Sequence, residues 1–494
     1  MSGRAGRPAA AAACLALAAC AVGPDYHRPP LPPTASYGVE AVSPSGATPA
    51  GGPQLASGQD IPAQWWRVFH SADLDALVAE ALKNNPTLEA AKATLRSARE
   101  QVKAQQGAFL PTVTASLQPS RQHFAETLSS PLESGVSLYN LTTTQVSVSY
   151  TPDIFGANAR AVESLVAAAD QQRFELEAAR LTLAANVVLA AIQDAQLNAE
   201  IEETRLIIAD QQETLASFTR QQQLGQTSRA DLAAQQALLA QSQAALPPLE
   251  KQYRVNRDLL AALVGRTPGD APTAGFSLDA LTLPKQLPLS LPARLVEQRP
   301  DVRIAEAQLH AASADVGVAV AARLPNIQLA AVGGSAALGL VPVFGPASNF
   351  WSLAGTLTQP IFEGGTLLHR QKAAEATYDQ AAAQYRATVI GAFQNTADVL
   401  HALRADADAL KASQAAAAAS HTSLEIARGQ FALGDLNHLA VLNAEQSDSQ
   451  ARLALLQARA SGYADVAALF QALGGGWWNA DTSIAGGASP TAQP

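Results

Sequence analysis

Cysteine is nearly absent from this chain of 494 residues: there are two, Cys14 and Cys20, both close to the amino terminus. Residues so placed build neither a disulfide framework nor a cysteine-based metal site. Methionine occurs once, as Met1, which argues against a thioether-lined route for soft metal ions. The eight histidines, among them His310, His369, His401 and His438, show no His-x-x-x-His spacing, and neither Gly-x-Ser-x-Gly nor a phosphate-cradling glycine loop occurs. An enzyme is therefore not expected, nor a metal or a cofactor; the histidines are expected on polar, exposed helix faces. Charged residues make up only 15% of the chain and the net charge is -9, so the basic footprint of a nucleic-acid-binding protein is missing. Beyond residue 20 no run of eighteen or more apolar residues appears. A chain of this kind crosses a membrane only as a closed β-barrel, because open strand edges are not tolerated in lipid.

Ala and Gln, by contrast, are abundant, while aromatics reach only 5%. That is good helix material with few bulky core residues, pointing to slender helices with wet flanks. At the amino terminus Arg4 and Arg7 precede the apolar run Ala9–Ala18, which ends in Leu17-Ala18-Ala19-Cys20. A short cationic segment, an apolar run too short to span a bilayer and small residues before a cysteine read as a lipoprotein export signal. Cys20 is the expected lipidation site and first mature residue; each buried acyl methylene contributes about 0.8 kcal/mol to membrane retention. Removing residues 1–19 takes away Arg4 and Arg7 and no acid, which moves the net charge to -11.

The chain contains itself twice. Pro86–Pro111 and Pro300–Pro325 align without a gap, sharing both terminal prolines and the pairs Ala91/Ala305, Leu95/Leu309, Ala98/Ala312 and Val102/Val316. Those positions advance by four, three and four, one stripe of a helix. Downstream, Ile154-Phe155-Gly156 echoes Ile361-Phe362-Glu363-Gly364, and Leu224-Gly225 echoes Leu433-Gly434. The expected organisation is a signal (1–19), a lipidated linker (20–60), a first repeat (61–270), an inter-repeat linker (271–290), a second repeat (291–476) and a flexible tail (477–494).

Each repeat reads as helix, strand pair, long helix, Leu-Gly break and second helix. Val146, Val148 and Tyr150 alternate with Gln145, Ser147 and Ser149, and Trp351, Leu353 and Leu357 with Ser352, Thr356 and Thr358: strands with one apolar and one polar face. Ile327, Leu329 and Ala331 suggest a third strand, and Thr112–Gln118 is the weakest candidate. Pro119–Thr143 and Gly333–Asn349 are read as loops. From Gly156 to Gln223 there is no proline, enough for a helix of roughly 100 Å, and Gly364 to Leu433 matches it. Helices of that length are expected to pack side by side as in a coiled coil. Pro247-Pro248 predicts a kink or break in the second helix of the first repeat.

Trp65-Trp66-Arg67-Val68-Phe69, Asp73-Leu74-Asp75-Ala76-Leu77 and Asn84-Asn85-Pro86 resemble the opening motif of the outer-membrane factors, the TolC-like channels. Arg299-Pro300-Asp301-Val302-Arg303 is similar to the signature that opens their second repeat, and Pro360-Ile361-Phe362-Glu363-Gly364-Gly365 to their strand-to-helix turn. Cys20-Ala21-Val22-Gly23-Pro24-Asp25-Tyr26 resembles the mature start of the lipoprotein, NodT-type branch. The resemblance implies an α+β membrane protein: a homotrimer whose four strands per chain close a twelve-stranded outer-membrane β-barrel, continued through the periplasm by a long α-helical coiled-coil barrel. It implies a passive exit duct for drugs or other small compounds, working with a periplasmic adaptor and an inner-membrane pump of the RND type. It also implies adaptor contacts at Leu224, Gly225, Thr227, Ser228, Leu433, Gly434, Asp435 and Leu436, and a periplasmic gate at Phe431, Leu439 and Asn443. The chain departs from the family at that gate: the two positions expected to carry carboxylates hold Ala440 and Asn443. Two other readings are the duct of a type I protein-secretion system and an envelope spacer; a spacer has no use for strands with an apolar outer face.

Overall fold

The computed structural model describes residues 21–30, 54–57, 60–123, 138–271, 275–284, 286–289 and 296–480. Cys20, the expected signal, most of the amino-terminal linker and residues 481–494 lie outside them. The elements in chain order are β1 (Gln54–Ser57), α1 (Ala72–Asn84), α2 (Pro86–Gln106), β2 (Thr112–His123), β3 (Leu138–Tyr150), α3 (Ala157–Gln223), α4 (Arg229–Leu263), β4 (Gln286–Leu289), α5 (Pro300–Ala321), β5 (Asn326–Ala337), β6 (Asn349–Thr358), α6 (Thr366–Ala432) and α7 (His438–Ala472). The two long helices have 67 residues each and the helices that follow them 35 each.

The chain forms two compact units, one comprising Met1–Pro29, Thr94–Gln172 and Ala305–Tyr385, the other Pro30–Ala93, Arg173–Ile304 and Arg386–Pro494. The first holds a sheet of order β2-β3-β5-β6 in which every neighbouring pair is antiparallel. Both strand pairs run further than their sequences announce. β2 passes through Pro119 to His123, and β5 passes through Gly333 and Gly334 to Ala337. Pro119 stands opposite Thr142 in the ladder, on a strand whose other side has no partner among the described residues. Gly334 lies against the Thr144 carbonyl, where a Cβ would collide, so its lack of a side chain permits the close pairing.

The same unit fastens the segment after Cys20. The Val22 N–H donates to the Phe155 carbonyl (3.2 Å), the Arg160 guanidinium donates to Val22 O and bridges Asp25 (2.7 Å), and Tyr26 stacks on His310 at 4.2 Å. Arg28 pairs with Glu306 at 2.9 Å. Residues 22–28 are thus a bound strap rather than part of a free linker.

The second unit is helical around an aromatic core. Ser71 caps α1 by accepting the Leu74 N–H, and Leu74, Leu77, Val78 and Ala81 form its buried stripe. Trp65 and Phe470 stack at 5.4 Å, both fully buried, and the Tyr463 hydroxyl donates to the Leu281 carbonyl at 2.7 Å. β1 and β4 pair in parallel, Gln54 opposite Gln286; both lie in segments read as linkers. Trp477 and Asn479, expected to open a tail, donate to the carbonyls of Gln298 and Ile61 at 2.8 Å each. The break expected at Pro247-Pro248 does not occur, since α4 is continuous across both. The carbonyls they deprive of donors, on Gln243 and Ala244, belong to exposed residues, where water replaces the lost partner.

Candidate functional site

Two places are candidates for a functional site, one in each unit. In the sheet the register puts Val113, Ala115 and Leu117 opposite Val148, Val146 and Thr144, and these in turn opposite Ala331, Gly333 and Ser335. Tyr150, Leu329, Leu353, Trp351 and Leu357 complete the same face. The other face carries Thr112, Thr114, Ser116, Gln118, Gln145, Ser147, Ser149, Gln328, Ser352 and Thr356. The apolar face is bare: Trp351 is 81% exposed, and Val113, Leu117, Leu353 and Leu357 are all exposed; on β2 and β6 the polar face is exposed too. A lone sheet in water turns its apolar face to a core; this arrangement suits lipid outside and water inside. Each outer edge, β2 and β6, lacks a second partner within the described residues, which leaves a row of backbone donors and acceptors open.

The second place is formed by the two helix-to-helix turns. α3 ends with the Gln226 N–H donating to Gln221 O (2.8 Å) and Gly225 to Gln222 O (3.0 Å); α6 ends likewise, Asp435 to Gln430 (2.9 Å) and Gly434 to Phe431 (3.0 Å). These closures require the left-handed backbone that Gly225 (φ 76°) and Gly434 (φ 82°) provide. Ser228 opens α4 with a reciprocal cap: the Asp231 N–H donates to Ser228 Oγ (3.0 Å), and the Ser228 N–H and hydroxyl donate to Asp231 Oδ2 (3.3 and 2.7 Å). The Ser228 hydroxyl holds the Asp231 carboxyl below its usual range. Thr227 donates to the same carboxylate at 3.4 Å, and Asn437 caps α7 by accepting the Ala440 N–H.

Leu224 (72%) and Leu433 (80%) project into solvent, and Gly225, Ser228, Gly434 and Asp435 are exposed with them. Leu436 and Asn443 line a groove of about 390 Å³ between α6 and α7, with Ile426, Gln430 and Ala440. Phe431 belongs elsewhere, stacked on Phe218 of α3 at 5.7 Å, and exposed Leu439 lines neither that contact nor the groove. Within one chain, then, the three residues expected at the gate do not meet.

Sequence reasoning missed the aromatic contact that joins the two turns. His438, expected on a polar face, is only 4% exposed; its ring lies 3.6 Å from that of Phe218 and 5.8 Å from that of Phe431. Burial pushes the imidazole below its ordinary pKa, with Asp231 pulling the other way. The signal was available: His438, Val441, Leu442, Glu445 and Asp448 are all buried, at helical spacing on one stripe of α7. Beside this contact, Asp210, Glu213, Arg428 and Glu445 line a groove of about 370 Å³ together with Phe218 and Phe431. Glu445 is buried, which raises its pKa, and is held by Arg428 at 3.1 Å. Among the described residues no group of His, Cys, Asp and Glu is arranged to hold a metal ion, and no helix is long and apolar enough to cross a membrane.

Comparison with known proteins finds matches over most of the chain. The family model for "Outer membrane efflux protein" matches residues 77–266 and 291–475. The pyoverdine export outer membrane protein OpmQ of Pseudomonas putida is 31% identical over 459 residues, 91% of this chain and 94% of that protein. The outer membrane protein OprJ of Pseudomonas aeruginosa is 30% identical over 480 residues, 94% of each. Among solved structures, the outer-membrane channel OprN superposes with a TM-score of 0.84 at 26% identity, covering 93% of this chain and all of that one. The chain belongs to the outer membrane efflux protein family.

Proposed function

We propose that this chain is the outer-membrane duct of a tripartite efflux system, a passive exit for small compounds driven by an inner-membrane pump through a periplasmic adaptor. The observation that carries the reading is the sheet: four antiparallel strands, apolar and bare on one face, polar on the other, with both edges open. Three copies joined edge to edge, β2 of one to β6 of the next, make a closed barrel of twelve strands with an aqueous lumen. The matched lengths of α3 and α6, and of α4 and α7, support a duplicated unit that gives such an assembly six similar helix pairs. Helices of 67 residues, about 100 Å long, suit a conduit through the periplasm. Export and efflux in the names of the relatives favour small cargo over a protein-secretion duct. The chain acts by conducting, and no chemical step is assigned to it.

In this reading Cys20 carries the lipid, and the strap at residues 22–28 ties it to the sheet-bearing unit. The exposed turns, Leu224 to Ser228 and Leu433 to Leu436, meet the adaptor, while Phe431, Leu439 and Asn443 surround the periplasmic opening. Purified protein in planar bilayers is expected to conduct in discrete steps and to migrate in gels as a heat-modifiable trimer. Replacing Leu439 and Asn443 together by Ala or Ser should raise the single-channel conductance; unchanged conductance removes these residues from the gate.

A further inference from the structure

The imidazole of His438 is the one buried ring in the turn region able to take up a proton near neutral pH. Neither of its nitrogens has a hydrogen-bond partner. It is the first residue of α7, so the positive end of the helix dipole bears on it, and Phe218 and Phe431 occupy its surroundings. Those rings come from α3 and α6, and Asp231, on the first turn of α4, is the charge that acts on it. The remaining charges nearby, Asp210 and Glu213 of α3, Arg428 of α6 and Glu445 of α7, line a groove together with the two phenylalanines, and His438 is not part of its lining. Arg428 and Glu445 are already paired with each other.

We propose that His438 is a pH-sensitive latch: neutral, its ring closes the aromatic contact among α3, α6 and α7; protonated, it leaves that contact and frees the turn Leu433–Asn437 with the first residues of α7. A neutral ring suits an apolar box, because it places no charge against the two phenyl groups. A protonated ring has two donors without acceptors there, and a buried unpaired cation costs far more than a solvated one. Solvent is one or two residues away, since Asn437 and Leu439 on either side are exposed, so the cation escapes by a local movement of the turn. The sign follows from linkage. The closed state binds the proton less tightly than the open one, so the latch is intact above about pH 6.5 and weakens as pH falls below it, by at most about tenfold per unit.

Hydrogen exchange of residues 429–443 in the full-length protein, compared at pH 7.5 and 5.5 after correction for intrinsic exchange, tests this whether or not the protein conducts. Wild type should lose protection about five- to tenfold at the acid pH, whereas His438→Phe should keep it. His438→Leu, smaller than phenylalanine, carries the same expectation should the larger ring fail to fit. Asp231→Asn retains an acceptor for the Ser228 cap but removes the cation's attraction in the closed box, so it should deepen the acid-induced loss. Equal protection of wild type at both pH values, or an equal loss in the Phe or Leu variant, overturns the proposal.

Discussion

Trp351 of β6 stands directly opposite Gly333 of β5, on the sheet face that also carries Val146 and Leu353. Nothing lies within 4 Å of the space a side chain on Gly333 would take, and the indole is 81% exposed. The indole thus points away from its paired glycine, and among the described residues the apolar face has no second layer to meet.

The two faces of β6 should therefore answer differently to the same charge. Leu353→Arg puts a guanidinium on the lipid side and should cost about 2–4 kcal/mol of folding into bilayers. Ser352→Arg, one residue away on the polar face, should cost less than about 1 kcal/mol. Urea titrations of protein folded into lipid vesicles read both, and equal costs would contradict the assignment of faces.

The turns make a second prediction. Gly434 holds φ 82° with nothing within 4 Å of the space a Cβ would take, so Gly434→Val suffers from backbone strain rather than from a clash. The expected loss is about 1–2 kcal/mol, seen as faster hydrogen exchange in the last turn of α6. Ser228→Ala removes the cap of α4 and should cost about 1 kcal/mol. Because the Ser228 hydroxyl holds the Asp231 carboxyl below its usual range, the carboxylate's part of that cap persists at neutral pH and fails only as pH falls through that lowered value.

A third prediction concerns Asp465 of α7, whose pKa is pushed up to about 7 by burial and by the neighbouring Asp406 carboxylate of α6. The folded state holds this proton after an unfolded chain has released it, so stability falls as pH rises from about 4 to about 7. Asp465→Asn cannot lose a proton and should melt higher than wild type at pH 8. Solvent near this partly buried pair limits the gain to about 1 kcal/mol. At pH 4 the two proteins should melt together.

Much of the fold was legible because long periodic stretches leave little choice. α3 begins one residue after Gly156 and ends at Gln223, and α6 ends one residue before Leu433. What misled were residues whose usual meaning depends on their neighbours. Pro119 alone signals a loop and Gly333-Gly334 a turn, but the ladder carries Pro119 opposite Thr142 and Gly333 between Val146 and Trp351, while a carbonyl crowds Gly334. Pro247-Pro248 would break an isolated helix, but α4 lies exposed there and water meets the freed carbonyls. The pairing of β1 with β4 rests on four residues from each of two Pro-rich segments, too short a run for periodicity to register. At the turns, the reversal was written in Leu224-Gly225 and Leu433-Gly434. His438 was overlooked because a histidine in a polar-looking sequence reads as a surface residue, although its place on the stripe with Val441 and Leu442 marks it as buried.

The central claim is that three copies close one barrel through β2 and β6, and covalent linkage of those edges tests it most directly. Cysteines placed in pairs, one at Thr114, Ser116 or Gln118 and one at Ser352, Ala354 or Thr356, all face the polar side. Cys20 is the only other cysteine after Cys14, so the background is low. Oxidation in outer membranes should give, for the pairs in register, a ladder that stops at three chains. A ladder that stops at two, or no ladder while a control pair at Thr114 and Ser147 links within one chain, would contradict it.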